Sequence, residues 1–201
     1  MPRQNRVTPE GEILAVAARG LFMGNRGCLH DASGRLGGIR WRHPHWVCCV
    51  LAFKGRKRAL MQPRRYTELF FLDEAVALAA GHRPCAECRR ADYERFRAMF
   101  PGGPMSAPEL DRLMHAARVS QGRQQIFMSD IREIPDGAYV KLSQPGEALL
   151  VHGARLLPYT SDGYGAPMVR PPSGVVAVLT PRPTIAALAA GYRPTLHPSA
   201  G

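Results

Sequence analysis

The chain predicts an α+β fold: a basic N-terminal module of short strands and helices stabilised by zinc, followed by a smaller, mostly β C-terminal part. Three observations predict it. Of 201 residues, 45% are hydrophobic and 21% charged, enough apolar matter for one good core or two small modules. The 18 Pro and 20 Gly imply many turns and short elements. The five cysteines all fall in the first half, and two form Cys85-Ala86-Glu87-Cys88.

The elements follow from local pattern. EILAVAA, between Gly11 and Arg19, reads as a strand, and the turn-rich stretch from Gly20 to Gly38 as a long loop. Trp46 to Phe53 (WVCCVLAF) has the β-branched and aromatic content of a buried strand, and the KGRK turn leads it into Ala59-Leu60-Met61 as a hairpin. Tyr66 to Leu72 is a further strand, running into a helix that Asp73 caps and Gly81 stops. A second helix follows Cys88, with Tyr93, Phe96, Arg97 and Phe100 on one face. Pro101-Gly102-Gly103-Pro104 breaks the chain and sets domain limits at 1–100 (basic zinc module), 101–135 (linker and helical segment) and 136–201 (β-rich part). Ser106 to Glu109 forms a capping box for a helix carrying Leu110, Leu113, Met114 and Ala117. AYVKL, EALLV, ARLLPY and VVAVL then read as strands, and a helix near Thr184 to Ala190 closes the chain. AVALAAGHRP (75–84) and IAALAAGYRP (185–194) agree at seven of ten positions, either as one helix-stop solution used twice or as a decayed duplication.

Charge is unevenly placed. Residues 1–100 hold 18 Lys+Arg against 9 Asp+Glu, a net +9 of the total +11, and nearly all the cations are arginine. Such a surface points to phosphate, and so to nucleic acid, or else to a solvated basic face. Arg56, Lys57, Arg58, Arg64, Arg65, Arg83, Arg89 and Arg90 surround the Cys-x-x-Cys motif, with Trp41, Trp46 and Tyr66 interleaved, which suits phosphate contact plus base stacking. No apolar run is long enough for a membrane span, and MPRQNRVTPEGE lacks a signal-peptide core, so a cytoplasmic protein is expected.

Two thiolates spaced Cys-x-x-Cys chelate one ion while the turn between them aims backbone N–H groups at sulfur. Zinc is the reading preferred over a redox dithiol, because a helix and Gly81-His82-Arg83-Pro84, not the strand of a βαβ unit, precede the motif. FFLDEAVALAAGHRPCAECRR, residues 70–90, resembles the second half of the zinc-binding N-terminal module of Ada: an Ala-rich helix, its glycine stop, Arg-Pro, and Cys-x-x-Cys followed by a basic residue. The resemblance implies Cys85 and Cys88 as zinc ligands in a DNA-associated module of bacterial type. In that family two upstream cysteines complete the site and one accepts a methyl group from a DNA phosphotriester. The corresponding stretch here, Lys54 to Met61, has no cysteine. The remaining ligands must therefore come from Cys28, His30, His43, His45, Cys48, Cys49 or His82. Adjacent strand residues face opposite ways, so only one of Cys48 and Cys49 can reach the ion. His30 is expected as third ligand, with Cys28 or Cys49 fourth. The expected function is zinc-dependent DNA binding; the alternative is a zinc-dependent hydrolase or nuclease acting on nucleic acid or a phosphorylated substrate, with Asp31, Glu68 or Glu87 as general base.

Overall fold

A computed structural model describes residues 1–56, 59–100 and 102–201. It has an α+β fold in which two sheets share buried helices. The first sheet takes strands from the N-terminal half: β1 (Arg6–Val7), β2 (Ile13–Leu14), β3 (Phe22–Asn25), β4 (Val47–Val50), β5 (Leu69–Phe71) and β6 (Arg83–Pro84), in the order β2-β1-β5-β3-β4-β6. Its central strand, β3, lies inside the stretch expected to be a long loop. Gly24 is the reason for both facts: a Cβ there would sit 2.0 Å from the Val47 carbonyl oxygen, so the glycine permits close approach of β4 and is no turn former. The hairpin expected from Trp46 to Met61 does not form; β4 pairs antiparallel with β3 and parallel with β6, while Ala59 to Met61 is not a strand.

Helix α1 (Glu74–Ala79) follows β5. Asp73 caps it by accepting from the Val76 N–H at 3.0 Å. All six of its residues are buried, which is why EAVALA is apolar all round except for Glu74. Helix α2 (Arg90–Ala98) buries Tyr93 and Phe96, and α3 (Ala107–Arg118) opens with the expected capping box, in which Glu109 Oε2 accepts from the Ser106 N–H at 2.9 Å. Leu110 and Met114 of α3 are buried, whereas Leu113 is 38% exposed.

A two-strand hairpin, β7 (Val119–Ser120) and β8 (Arg123–Gln124), leads to the second sheet. That sheet contains β9 (Phe127–Asp130), β10 (Tyr139–Lys141), β11 (Leu149–His152), β12 (Arg155–Thr160), β13 (Gly163–Tyr164), β14 (Met168–Val169) and β15 (Val175–Val178), and α4 (Arg182–Ala189) follows it. Strand β9 was not anticipated in the 101–135 segment. Its central strands β10 and β11 are buried on both faces and so are nearly continuously apolar, while the outer strands β9 and β14 are half-buried or exposed. Along β11 the alternation is direct: Leu149 and Val151 join a core with Phe96 of α2, Met114 of α3 and Leu188 of α4, while Leu150 points the other way, into a core with α1 and with Phe22, Leu69 and Phe71 of the first sheet. Among the described residues no helix is long and apolar enough to cross a membrane.

The internal echo is one helix stop used twice. After α1, Gly81 adopts φ +84°, its N–H donates to the Leu78 carbonyl and the His82 N–H to that of Ala77; after α4, Gly191 (φ +111°) and Tyr192 repeat both bonds to Leu188 and Ala187.

Candidate metal centre

Strand β4 begins the site. Cys48 is fully buried, and Arg89 Nη1 donates to its sulfur at 3.4 Å. Cys49, one residue on, faces the opposite side. There it meets Cys85 and Cys88, brought in by the turn between β6 and α2; β6 pairs with β4, and the Cys85 N–H donates to the Cys48 carbonyl at 2.9 Å. The three sulfurs lie within 4.8 Å of one another and all three residues are half-buried. A zinc ion bonded to thiolates at 2.3 Å in a tetrahedron needs sulfurs about 3.8 Å apart, a spacing within the limit that the trio keeps. The Glu87 N–H donates to Cys85 sulfur at 3.4 Å, the backbone support expected of the motif.

The trio's proton affinities are coupled through sulfur. Hydrogen bonds from Cys49 and Cys88 hold the Cys85 thiol well below its usual range, while donation to Cys85, together with burial, raises Cys49. A soft cation bound here would take the place of the protons the sulfurs share. Three thiolates suit zinc or another thiophilic ion and exclude magnesium or calcium.

Among the described residues no fourth Cys, His, Asp or Glu joins them. Instead the trio opens on a cleft of about 720 Å³ whose lining is mainly apolar, including Met23, Val50, Phe53 and Phe70, with Arg6, Arg19, Arg56 and Glu68 among its polar groups. Arg56 pairs with Glu87 at 2.6 Å, which keeps Glu87 below the usual carboxylate range, and its guanidinium stands over the Phe53 ring at 5.3 Å. Glu68 accepts from the Met61 N–H at 2.7 Å.

Two expected ligands lie elsewhere. His30 is turned to Thr67 Oγ1 (2.6 Å) and the Gln62 carbonyl (3.2 Å), and Cys28 contacts the His30 carbonyl at 3.6 Å. Both belong to a loop whose polar groups satisfy each other, so neither reaches the trio. His45 binds Asp111, and the His82 ring bridges the Val47 carbonyl and the Arg26 Nε. Asp31 closes its own turn through Ser33 and Arg35.

The expected basic face divides. Arg56, Arg64, Arg65 and Arg90 are exposed, though Arg90 pairs with Glu94 at 2.7 Å. Arg83 and Arg89 are not on a surface at all. Arg83 makes a two-pronged ion pair with buried Asp111 of α3, both contacts 2.8 Å, and Arg89 bonds Glu74 of α1 and Asp92 at 2.8 Å each. These two guanidiniums brace helices and cannot meet a phosphate. Lys57 and Arg58 lie outside the described residues.

One premise of the sequence reading also changes: the motif does follow a strand, β6, and precede a helix, α2. The geometry that favours a metal over a dithiol is the third sulfur: of the two residues expected as fourth ligand, Cys28 and Cys49, it is Cys49 that joins Cys85 and Cys88, from 36 positions before Cys85. No protein-family model, curated protein or solved structure matches this chain.

Proposed function

We propose that the chain is a zinc-thiolate protein that binds nucleic acid, with Cys49, Cys85 and Cys88 as ligands and the basic rim of the cleft as the contact surface. The convergence of three sulfurs from two separate segments carries the metal part of this reading. Zinc is preferred among thiophilic ions on the donor set and on the resemblance of residues 70–90 to the Ada module. The nucleic-acid part rests on the net charge of +11, on exposed Arg56 at the cleft, and on exposed Arg64 and Arg65 of the same basic half. Zinc would fix β4 to the turn before α2 and so hold the rim in shape.

The test is binding of fluorescently labelled duplex DNA by the zinc-loaded protein across a salt series. Contact with about three phosphates predicts a log–log slope near −2.7 and a loss of about one unit when Arg64 or Arg65 becomes Ala. A flat salt response removes the nucleic-acid reading.

A hydrolase is the second reading, favoured by the open side of the trio facing a cleft that also holds Glu68 and Glu87. Glu87 is committed to Arg56, which makes it a weak proton acceptor. Cleavage of a phosphodiester by wild type that disappears in Glu68→Gln with metal retained would establish this reading over simple binding.

A further inference from the structure

A second cavity, of about 290 Å³, shares no lining residue with the cysteine cleft. Its walls include Arg26 from the end of β3, Arg118 from the end of α3, Trp41 and Trp46, and Gln124 of β8. Arg26 and Arg118 are 2% and 1% exposed. Their guanidinium carbons stand 4.2 and 3.8 Å from the centroid of the same Trp46 ring, which bounds their separation at about twice that distance.

Two buried cations this close require compensation, yet among the described residues neither forms an ion pair. Arg26 donates to His82 Nε2 and to the Gly11 and Ala80 carbonyls, and Arg118 to the carbonyls of Gly81 and Pro44 and to His115. Those are neutral acceptors. Arg118 Nε has no acceptor, and Gln124 Oε1 is a buried oxygen without a donor, its amide nitrogen being fixed by the Pro9, Ala79 and Leu179 carbonyls. Burial, with Arg40 nearby, pushes Arg26 down to about 9, and burial, with Arg26 beside it, pushes Arg118 down to about 8. The neighbouring acids act on the two guanidiniums only from a distance: Asp111 is taken by Arg83 and His45, Glu10 pairs with Lys141 at 3.0 Å, and Glu12, which like Glu10 lines the cavity, is exposed and forms no ion pair with either arginine among the described residues. Arg40 and Arg123 line the same cavity and add to its positive field.

We propose that this cavity binds a small phosphate monoester, with the phosphate between Arg26 and Arg118, an aromatic ring of the ligand against half-buried Trp41, and a ligand hydroxyl on Gln124 Oε1. A phosphate oxygen meets the unused Arg118 Nε and supplies the negative charge the two guanidiniums lack. The size fits: the cavity is at the lower edge of the range for small-molecule sites, enough for a mononucleotide and too small for a duplex. This proposal does not rest on the zinc site.

Trp41 and Trp46 are the only tryptophans of the chain and both line the cavity, so their emission reports its occupancy. The experiment titrates the metal-loaded protein with inorganic phosphate and with adenosine 5′-monophosphate at constant ionic strength, with sodium chloride as reference. The expected result is a saturable emission change, at least tenfold tighter for the nucleotide than for phosphate, weakened at least tenfold in Arg118→Gln and at least threefold in the Arg40→Ala/Arg123→Ala double variant. Circular dichroism establishes that each variant is folded; if Arg118→Gln is not, the double variant decides. A response no larger than that of chloride, or affinities unchanged in the folded variants, would overturn the site. Equal affinity for phosphate and the nucleotide would overturn the monoester assignment.

Discussion

The two helix stops, at Gly81 and at Gly191, are built alike and used differently. Each ends a short Ala-rich helix with the same pair of backbone bonds, and each continues aromatic-or-His, Arg, Pro. After Gly81 the chain enters the interior: His82 packs against Phe71 with ring centroids 4.6 Å apart, Arg83 grips Asp111, and the cysteine turn follows. After Gly191 it returns to the surface, where exposed Arg193 reaches only the Leu188 and Tyr192 carbonyls, and the tail docks on the start of α1 through Tyr192 and Thr195, both bonded to Glu74. The comparison teaches that the repeated residues encode a stop. What the stop is for comes from what surrounds it: the first has a buried carboxylate for its arginine, a neighbouring strand and two cysteines, whereas the arginine after the second meets only backbone carbonyls.

Substitutions at matched positions can break this pairing. Arg83→Ala leaves the Asp111 carboxylate buried without its guanidinium and is expected to cost about 3–5 kcal/mol in urea unfolding, whereas Arg193→Ala should stay within about 0.5 kcal/mol. Equal losses would mean that the interior and surface stops are equivalent. Gly81→Ala combines an unfavourable φ with a Cβ 2.4 Å from Arg118 Cδ and should cost about 2–4 kcal/mol; Gly191→Ala has only the φ penalty, since nothing lies within 4 Å, and should cost about 1–2 kcal/mol.

The residues after each glycine extend the contrast to pH. Burial, with Arg26 beside it, holds His82 well below 6.5 in the folded state, so the unfolded chain takes up a proton first and stability falls as pH drops below 6.5. The expected contribution is about 1.4 kcal/mol of stability lost one unit below that value; His82→Gln should flatten this acid limb. Tyr192, buried and bonded to the Glu74 carboxylate, is raised above 10, so its contribution is intact below pH 10 and is lost as the unfolded chain ionises above it. Tyr192→Phe should make the alkaline limb shallower, the rest of it coming from buried Tyr139, Tyr159 and Tyr164, and leave the acid limb unchanged. Melting temperature measured from pH 5 to 11 on both variants separates the two.

Much of this was legible locally. Asp73, Gly81 and the Ser106 box announce helix ends because capping chemistry acts over three or four residues. The alternation of a strand placed Cys48 and Cys49 on opposite sides without saying which faced the ion. What could not be read depends on partners distant in sequence. Arg83 looks like a surface cation until Asp111, 28 residues later, arrives beside it, and Arg26 and Arg118 meet over Trp46 only in the folded chain. Strand β3 is hidden within a glycine-rich stretch because glycine marks both a turn and a close approach of strands, and at Gly24 it is the second. His30 drew attention as a ligand by its loop setting, yet its hydrogen bonds to Thr67 and Gln62 keep it there.

The most direct measurement is zinc content by native mass spectrometry on wild type and on single Ala variants of Cys28, Cys48, Cys49, Cys85 and Cys88, with His30→Ala alongside. One ion per chain is expected in wild type, lost in the Cys49, Cys85 and Cys88 variants and retained in the Cys28, Cys48 and His30 variants. Adjacent Cys48 is the sharpest control, since it shares the strand but faces the core. Zinc retained without Cys49, or lost without Cys28 or His30, would contradict the three-sulfur centre.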